Sequence, residues 1–212
     1  MTSKGHSPVD LQSAEPATSR RSLIGALGIA GLAGAAAVAV ARPVSAAPAP
    51  APYSPTESDK KFLERALQIE LAAKLLYADA VASGLPDDAL KVATVFGDNH
   101  EAYADQFAAI TGVSADTYDE AFYEENKAAF GSGDIEEFTG AAWELENNFA
   151  ATYTKLFKDL KATQSQTVVA SIVVINGRMA TVLADLAGLS DDFNTLFDPP
   201  AEIITLPEVP AS

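Results

Sequence analysis

The chain is expected to be all-α, built from four long amphipathic helices arranged as two antiparallel pairs joined by a long crossover. Three observations lead there. From Ser54 onward apolar residues recur at three and four positions, the helical period, and strand-like alternation is almost absent. The links inside each pair are short, around Gly84 to Asp87 and around Ala162 to Gln164, which forces neighbouring helices to run antiparallel. The pattern also recurs: Glu70 returns as Glu146, an offset of 76 residues, and Tyr77 as Tyr153, Leu67 as Trp143, Phe96 as Ile172 and Phe107 as Leu183 at the same offset.

In chain order, residues 1–46 come first. The stretch Ser19-Arg20-Arg21-Ser22-Leu23-Ile24-Gly25 leads into an apolar run from Leu23 to Ala41. Arg42-Pro43-Val44-Ser45-Ala46-Ala47 follows. This is the basic region, apolar region and small-residue cleavage site of an export signal, with cleavage expected after Ala46. The run is diluted by Gly25, Gly28, Gly31 and Gly34, so it is softer than an ordinary spanning helix. SRRSLIG resembles the twin-arginine translocation signal, with a Sec signal or a retained anchor as the alternatives. The resemblance implies that the twin-arginine export machinery reads Arg20 and Arg21. It also implies a periplasmic, cell-envelope or extracellular address, and a domain that folds before export with no membrane span in the mature chain. The Ala/Pro stretch at 47–53 is expected to be a stiff linker.

The helical unit is placed at 54–190. Its first helix opens on Ser54-Pro55-Thr56-Glu57, a capping pattern with Pro at the first helical position, and runs to Ser83-Gly84 with the stripe Leu63, Leu67, Glu70, Ala73, Tyr77. The second starts at Pro86-Asp87, ends at Thr111-Gly112, and carries Val92, Phe96, His100, Tyr103, Phe107 and Ile110. The connection from Val113 to Gly133 is long enough to cross the molecule end to end, with a short helix expected between Tyr118 and Phe130. The third helix is expected from Ile135 to Ala162 (Trp143, Glu146, Ala150, Tyr153, Phe157, Leu160). The fourth runs from Gln164 to Ala187 (Val169, Ile172, Asn176, Met179, Leu183, Leu186). A Pro-rich tail, 191–212, either packs along the helices through Phe193, Leu196 and Phe197 or extends to a partner.

Composition removes several functions. The 212 residues carry 29 acids against 14 bases, a formal net charge of −15. Removing 1–46 takes away Asp10 and Glu15 but also Lys4, Arg20, Arg21 and Arg42, leaving 27 acids and 10 bases, about −17. Such a field repels phosphate backbones, so nucleic acid is not an expected partner. With no cysteine there is no disulfide, thiolate metal site or cysteine nucleophile. Of the two histidines, His6 lies in the leader, which leaves His100 alone in mid-helix and a poor member of a Ser-His-Asp triad.

Each apolar stripe is broken near its middle by a polar group: Glu70, then His100 with Tyr103, then Glu146, then Asn176. Burying such groups is costly unless they find partners, so four at one level are expected to be one another's partners. Two helix pairs with a long crossover and carboxylates at mid-height resemble the ferritin-like four-helix bundle. More narrowly, ERALQIELAAKLLY, WELENNFAATY, SIVVINGRMATVLADLAG and the trailing Phe197-Asp198-Pro199 resemble exported ferritin-like domain proteins of bacteria, which have stress-associated relatives. In di-iron or di-manganese members a Glu comes from each of two helices and a Glu-x-x-His from each of the other two. Here the single glutamates fall on Glu70 and Glu146, but the paired motifs fall on His100 with Tyr103 and on Asn176 with Met179, so both are degenerate.

Two readings of the site follow. In one it is a metal-free polar cluster with no cofactor: His100 sits between the carboxylates and tends toward the imidazolium, one glutamate can carry a proton because adjacent buried carboxylates do not both ionise cheaply, and Tyr77, Tyr153, Tyr103 and Asn176 supply hydrogen bonds. In the other Glu70, His100 and Glu146 hold a single Fe, Mn or Zn ion. For the whole chain the resemblance implies a non-catalytic structural, binding or stress-associated envelope protein. The alternatives are a metal-dependent oxidoreductase with a reduced ligand set, or an acidic helical module that recognises a basic envelope partner or another copy of itself.

Overall fold

The computed structural model describes residues 52–205. The export signal of 1–46 with Arg20 and Arg21, the linker before Pro52 and residues 206–212 lie outside the described residues. Six helices and no strand occur among the described residues: α1 (Glu57–Ala82), α2 (Asp87–Thr111), α3 (Glu120–Phe130), α4 (Ile135–Asp159), α5 (Thr163–Leu186) and α6 (Phe193–Phe197). α1 packs chiefly on α2 and α4 on α5, while α3 lies against α1 and α4. One apolar core joins them, with Tyr77, Phe107, Phe130, Phe138, Phe149 and Tyr153 among its fully buried side chains.

The helix pairs end where the sequence punctuates them, with two differences. α1 starts two residues later than Ser54-Pro55 suggested, because Thr56 caps it. Thr56 Oγ1 accepts from Asp59 N (3.1 Å) while Asp59 Oδ2 accepts from Thr56 N (3.2 Å). α4 stops at Asp159 rather than continuing to Ala162. The same Asp59 explains this: its carboxylate accepts from Lys161 N (2.8 Å) and Ala162 N (2.9 Å), drawing those amides out of the helical ladder. Pro52 and Tyr53 also belong to the folded unit, since their carbonyls accept from Thr163 N and Gln164 N at 3.0 Å each. They satisfy orphan donors of α5, whose own cap residue, Ala162, has no side chain to do so.

The crossover carries the chain from the foot of α2 to the head of α4. Its start is pinned to α1 by the Asp119–Arg65 ion pair and by Asp119 N donating to Gln68 O at 3.0 Å. Tyr123 OH donates to Asp79 Oδ2 (2.6 Å) higher on the same helix. Phe130 then enters the core edge-on against Tyr77 and Phe138, with ring centroids at 5.2 and 5.7 Å. Gly133 follows at φ +74°, where an added Cβ would lie 2.8 Å from Ser83 O. The close pass over the end of α1 therefore needs glycine for two reasons.

The buried stripe of α4 differs by one position from the expected one. Phe157 is 40% exposed and Leu156 is buried, with Phe149, Tyr153 and Leu160 completing the inner face. Past α5 the chain turns back along α4: Glu202 N donates to Asn148 Oδ1 (2.6 Å) and Ile204 N to Thr152 Oγ1 (2.9 Å), one helical turn apart. Leu196 and Ile204 pack on the core, whereas Phe193 and Phe197 stack on each other in solvent.

Candidate functional site

Glu70 of α1, His100 of α2 and Glu146 of α4 meet at mid-height, each 0% exposed. His100 is held at both ring nitrogens: Nδ1 lies 2.5 Å from Glu70 Oε2 and Nε2 lies 3.0 Å from Glu146 Oε1. Two phenols complete a chain of five residues joined by four hydrogen bonds. Tyr77 OH donates to Glu146 Oε1 at 2.7 Å, and Tyr153 OH donates to Glu70 Oε1. The sequence repeat thus closes crosswise. Each Tyr shares a helix face with its own Glu two turns away, yet bonds the Glu of the other pair, which makes the halves interdependent at their centre.

The imidazole plane is fixed as firmly as its edges. Tyr77 stacks on it at 5.3 Å and 18°, Phe149 covers it at 5.2 Å and 41°, and Tyr103 meets it edge-on at 6.0 Å and 81°. Aromatic faces on a cation are favourable, and the enclosure removes competing water.

Burial by itself would expel the charge from His100. Glu146 and Glu70, through charge and hydrogen bonds, outweigh it and push the group up to about 10. Burial also raises the Glu70 carboxyl above its ordinary range, against the pull of His100 and Tyr153 and with a further push from Glu146. Tyr77 and Tyr153 are raised well above the usual phenol value, first by burial and then by the carboxylates. At neutral pH the ring is therefore an imidazolium donating from both nitrogens, and both phenols keep their protons.

The remaining expected residues are close by but differently used. Tyr103 OH, Glu146 Oε2 and both amide atoms of Asn176 are buried without a hydrogen-bond partner. Met179 directs its sulfur elsewhere and accepts from Asn99 Nδ2 at 3.6 Å. Among the described residues no group of three or more His, Cys, Asp or Glu is placed to hold a metal ion. A surface cleft of about 610 Å³, bounded by Arg65, Asp119, Glu144, Asn148 and Glu202, opens beside α4 and the tail and does not include the cluster. Sequence reasoning had no signal for the stacking role of Phe149 beyond its place one turn after Glu146. It also passed over Asp59, which looks like an ordinary first-turn acid but is 0% exposed.

Comparison with known protein families, curated proteins and solved structures finds no match for this chain.

Proposed function

We propose that this chain is an exported protein with a ferritin-like four-helix bundle whose ligand set has been converted into a metal-free ion-paired core. It serves as a non-catalytic structural or binding protein of the cell envelope. The stress association and the twin-arginine route rest on the sequence resemblance alone.

The observation that carries the reading is the engagement of both His100 nitrogens by Glu70 and Glu146. A ferritin-like dinuclear centre needs about six donor groups, four of them carboxylates. Here two carboxylates and one imidazole occupy those positions, and every lone pair of the imidazole is committed to a proton facing a carboxylate. The donor set does not fit two divalent ions. Instead the imidazolium supplies the positive charge between the glutamates, Tyr153 satisfies the outward oxygen of Glu70, and Tyr77 shares Glu146 Oε1 with the ring. Glu70, His100 and Glu146 are each 0% exposed, which supports a role within the core.

One observation favours a second reading, a single bound ion and a metal-dependent oxidoreductase: Glu146 Oε2, Tyr103 OH and the Asn176 amide are orphaned at the same level. Elemental analysis separates the two. Protein purified after export should contain no stoichiometric Fe, Mn or Zn. A stoichiometric metal that disappears in Glu70→Ala overturns the metal-free reading.

A further inference from the structure

α5 is the least charged long helix of a strongly acidic chain. From Thr163 to Ala184 it has no acid and one base, Arg178. Its most apolar window has a mean hydropathy of 1.7, yet only 39% of that window is buried. The outward residues Thr167, Ser171, Val174, Arg178, Thr181 and Asp185 are all exposed and lie on one face of the helix at a 4-3-4-3-4 spacing.

Gly177 flanks this face in mid-helix, where glycine is a poor helix former. A Cβ at that position would meet nothing within 4 Å, so no contact inside the protein requires its absence. The open space there leaves room for a second backbone to approach. Val174 and Val182 are 55% and 43% exposed beside it. Arg178 and Asp185 form no ion pair with any described residue.

The occupant is set by charge. A basic partner would be drawn to the acidic faces of the other helices, not to a face without carboxylates over most of its length. A second copy of this chain, as acidic as the first, meets least repulsion on this face, and the face is self-complementary through Arg178 and Asp185. When two α5 helices cross antiparallel about Thr181 and Val182, Arg178 of each copy meets Asp185 of the other, and Gly177 and Val174 flank the contact. We infer that the outer face of α5 is an isologous interface through which two copies of this chain dimerise, with reciprocal Arg178–Asp185 pairs setting the register.

Sedimentation equilibrium of the purified protein tests this. The wild-type protein should dimerise, and Arg178→Asp or Asp185→Arg alone should weaken dimerisation by about tenfold or more, because each places like charges opposite one another. The double variant Arg178→Asp with Asp185→Arg should return to near the original affinity, since it swaps the pair on both sides of the axis. Far-ultraviolet circular dichroism should show the same helix content in all four proteins. A wild-type monomer up to high micromolar concentration overturns the inference, as does a dimer indifferent to the single reversals or a double variant that stays apart. Flotation of a monomeric protein with phosphatidylglycerol vesicles, lost in Val174→Asp, would assign the face to a lipid surface and overturn it equally.

Discussion

Alkaline pH should destabilise this protein well before its lysines titrate. Unfolded, His100 has its ordinary value of 6.5, and folded it holds its proton to about 10. A group raised on folding contributes its full stabilisation below the unfolded value and loses it as pH climbs through the folded one. The window is therefore 6.5 to about 10. Over it the folded state binds one more proton than the unfolded state, so the free energy of unfolding falls by about 1.4 kcal/mol per pH unit. The full separation is worth roughly 5 kcal/mol, comparable to the whole stability of a marginal domain. The raised Glu70 carboxyl gives a loss of the same sign, but one that begins at its ordinary value of 4.5, below this window. Urea unfolding at pH 7.5, 8.5 and 9.5 gives the slope directly. His100→Gln keeps a planar polar side chain but has no proton to lose, so its stability should be lower and nearly flat over the same range. A flat profile in the parent protein, or an equal slope in His100→Gln, would refute the imidazolium assignment.

Other substitutions probe the parts that hold the cluster in place. Tyr77→Phe and Tyr153→Phe each remove the phenol from a buried carboxylate and should cost about 1–3 kcal/mol apiece, Tyr153→Phe the more, because it orphans Glu70 Oε1 whereas Glu146 Oε1 keeps His100 Nε2; thermal unfolding compares them. Asp59→Ala strips acceptors from Thr56 N, Lys161 N and Ala162 N at once. It should cost about 3 kcal/mol or more and raise amide exchange at Lys161 and Ala162 together. Gly133→Ala drives a Cβ toward Ser83 O at a positive φ and should cost about 1–3 kcal/mol in urea, whereas Gly140→Ala, with open space around its Cβ, should be neutral or stabilising. Asn176→Leu deletes two unpaired buried amide atoms and should leave the melting temperature unchanged or higher. A large drop would mean that those atoms hold a ligand.

The helical class, the long crossover and the level of the polar cluster were legible because burial leaves a strong periodic mark and the repeat marks it twice. Glu70, His100 and Glu146 stood out as charges on apolar stripes, and the structure brings those three together. Which phenol serves which carboxylate was not legible. Tyr77 lies on the same helix face as Glu70 but bonds Glu146, a choice set by how the pairs rotate against each other. One residue is about 100° of helix, which is why Phe157 and Leu156 exchanged places between expectation and structure. Asp59 was invisible for another reason. Acids in a first turn are common on exposed helices, and only the arrival of the α4–α5 loop more than a hundred residues later makes this one a buried clamp. The start of α1 follows from the Thr56 cap and the end of α4 from the loop amides, and Asp59 takes part in both.

The protonation of one ring tests the central claim most directly. The protein labelled with ¹⁵N-histidine, with His6 replaced to leave one signal, should show at pH 8 that both nitrogens of His100 carry protons, each seen as a one-bond N–H coupling slow to exchange with solvent. That is the imidazolium held between Glu70 and Glu146. A His100 with one bare nitrogen at that pH, or with one nitrogen shifted by added iron, manganese or zinc, would contradict it.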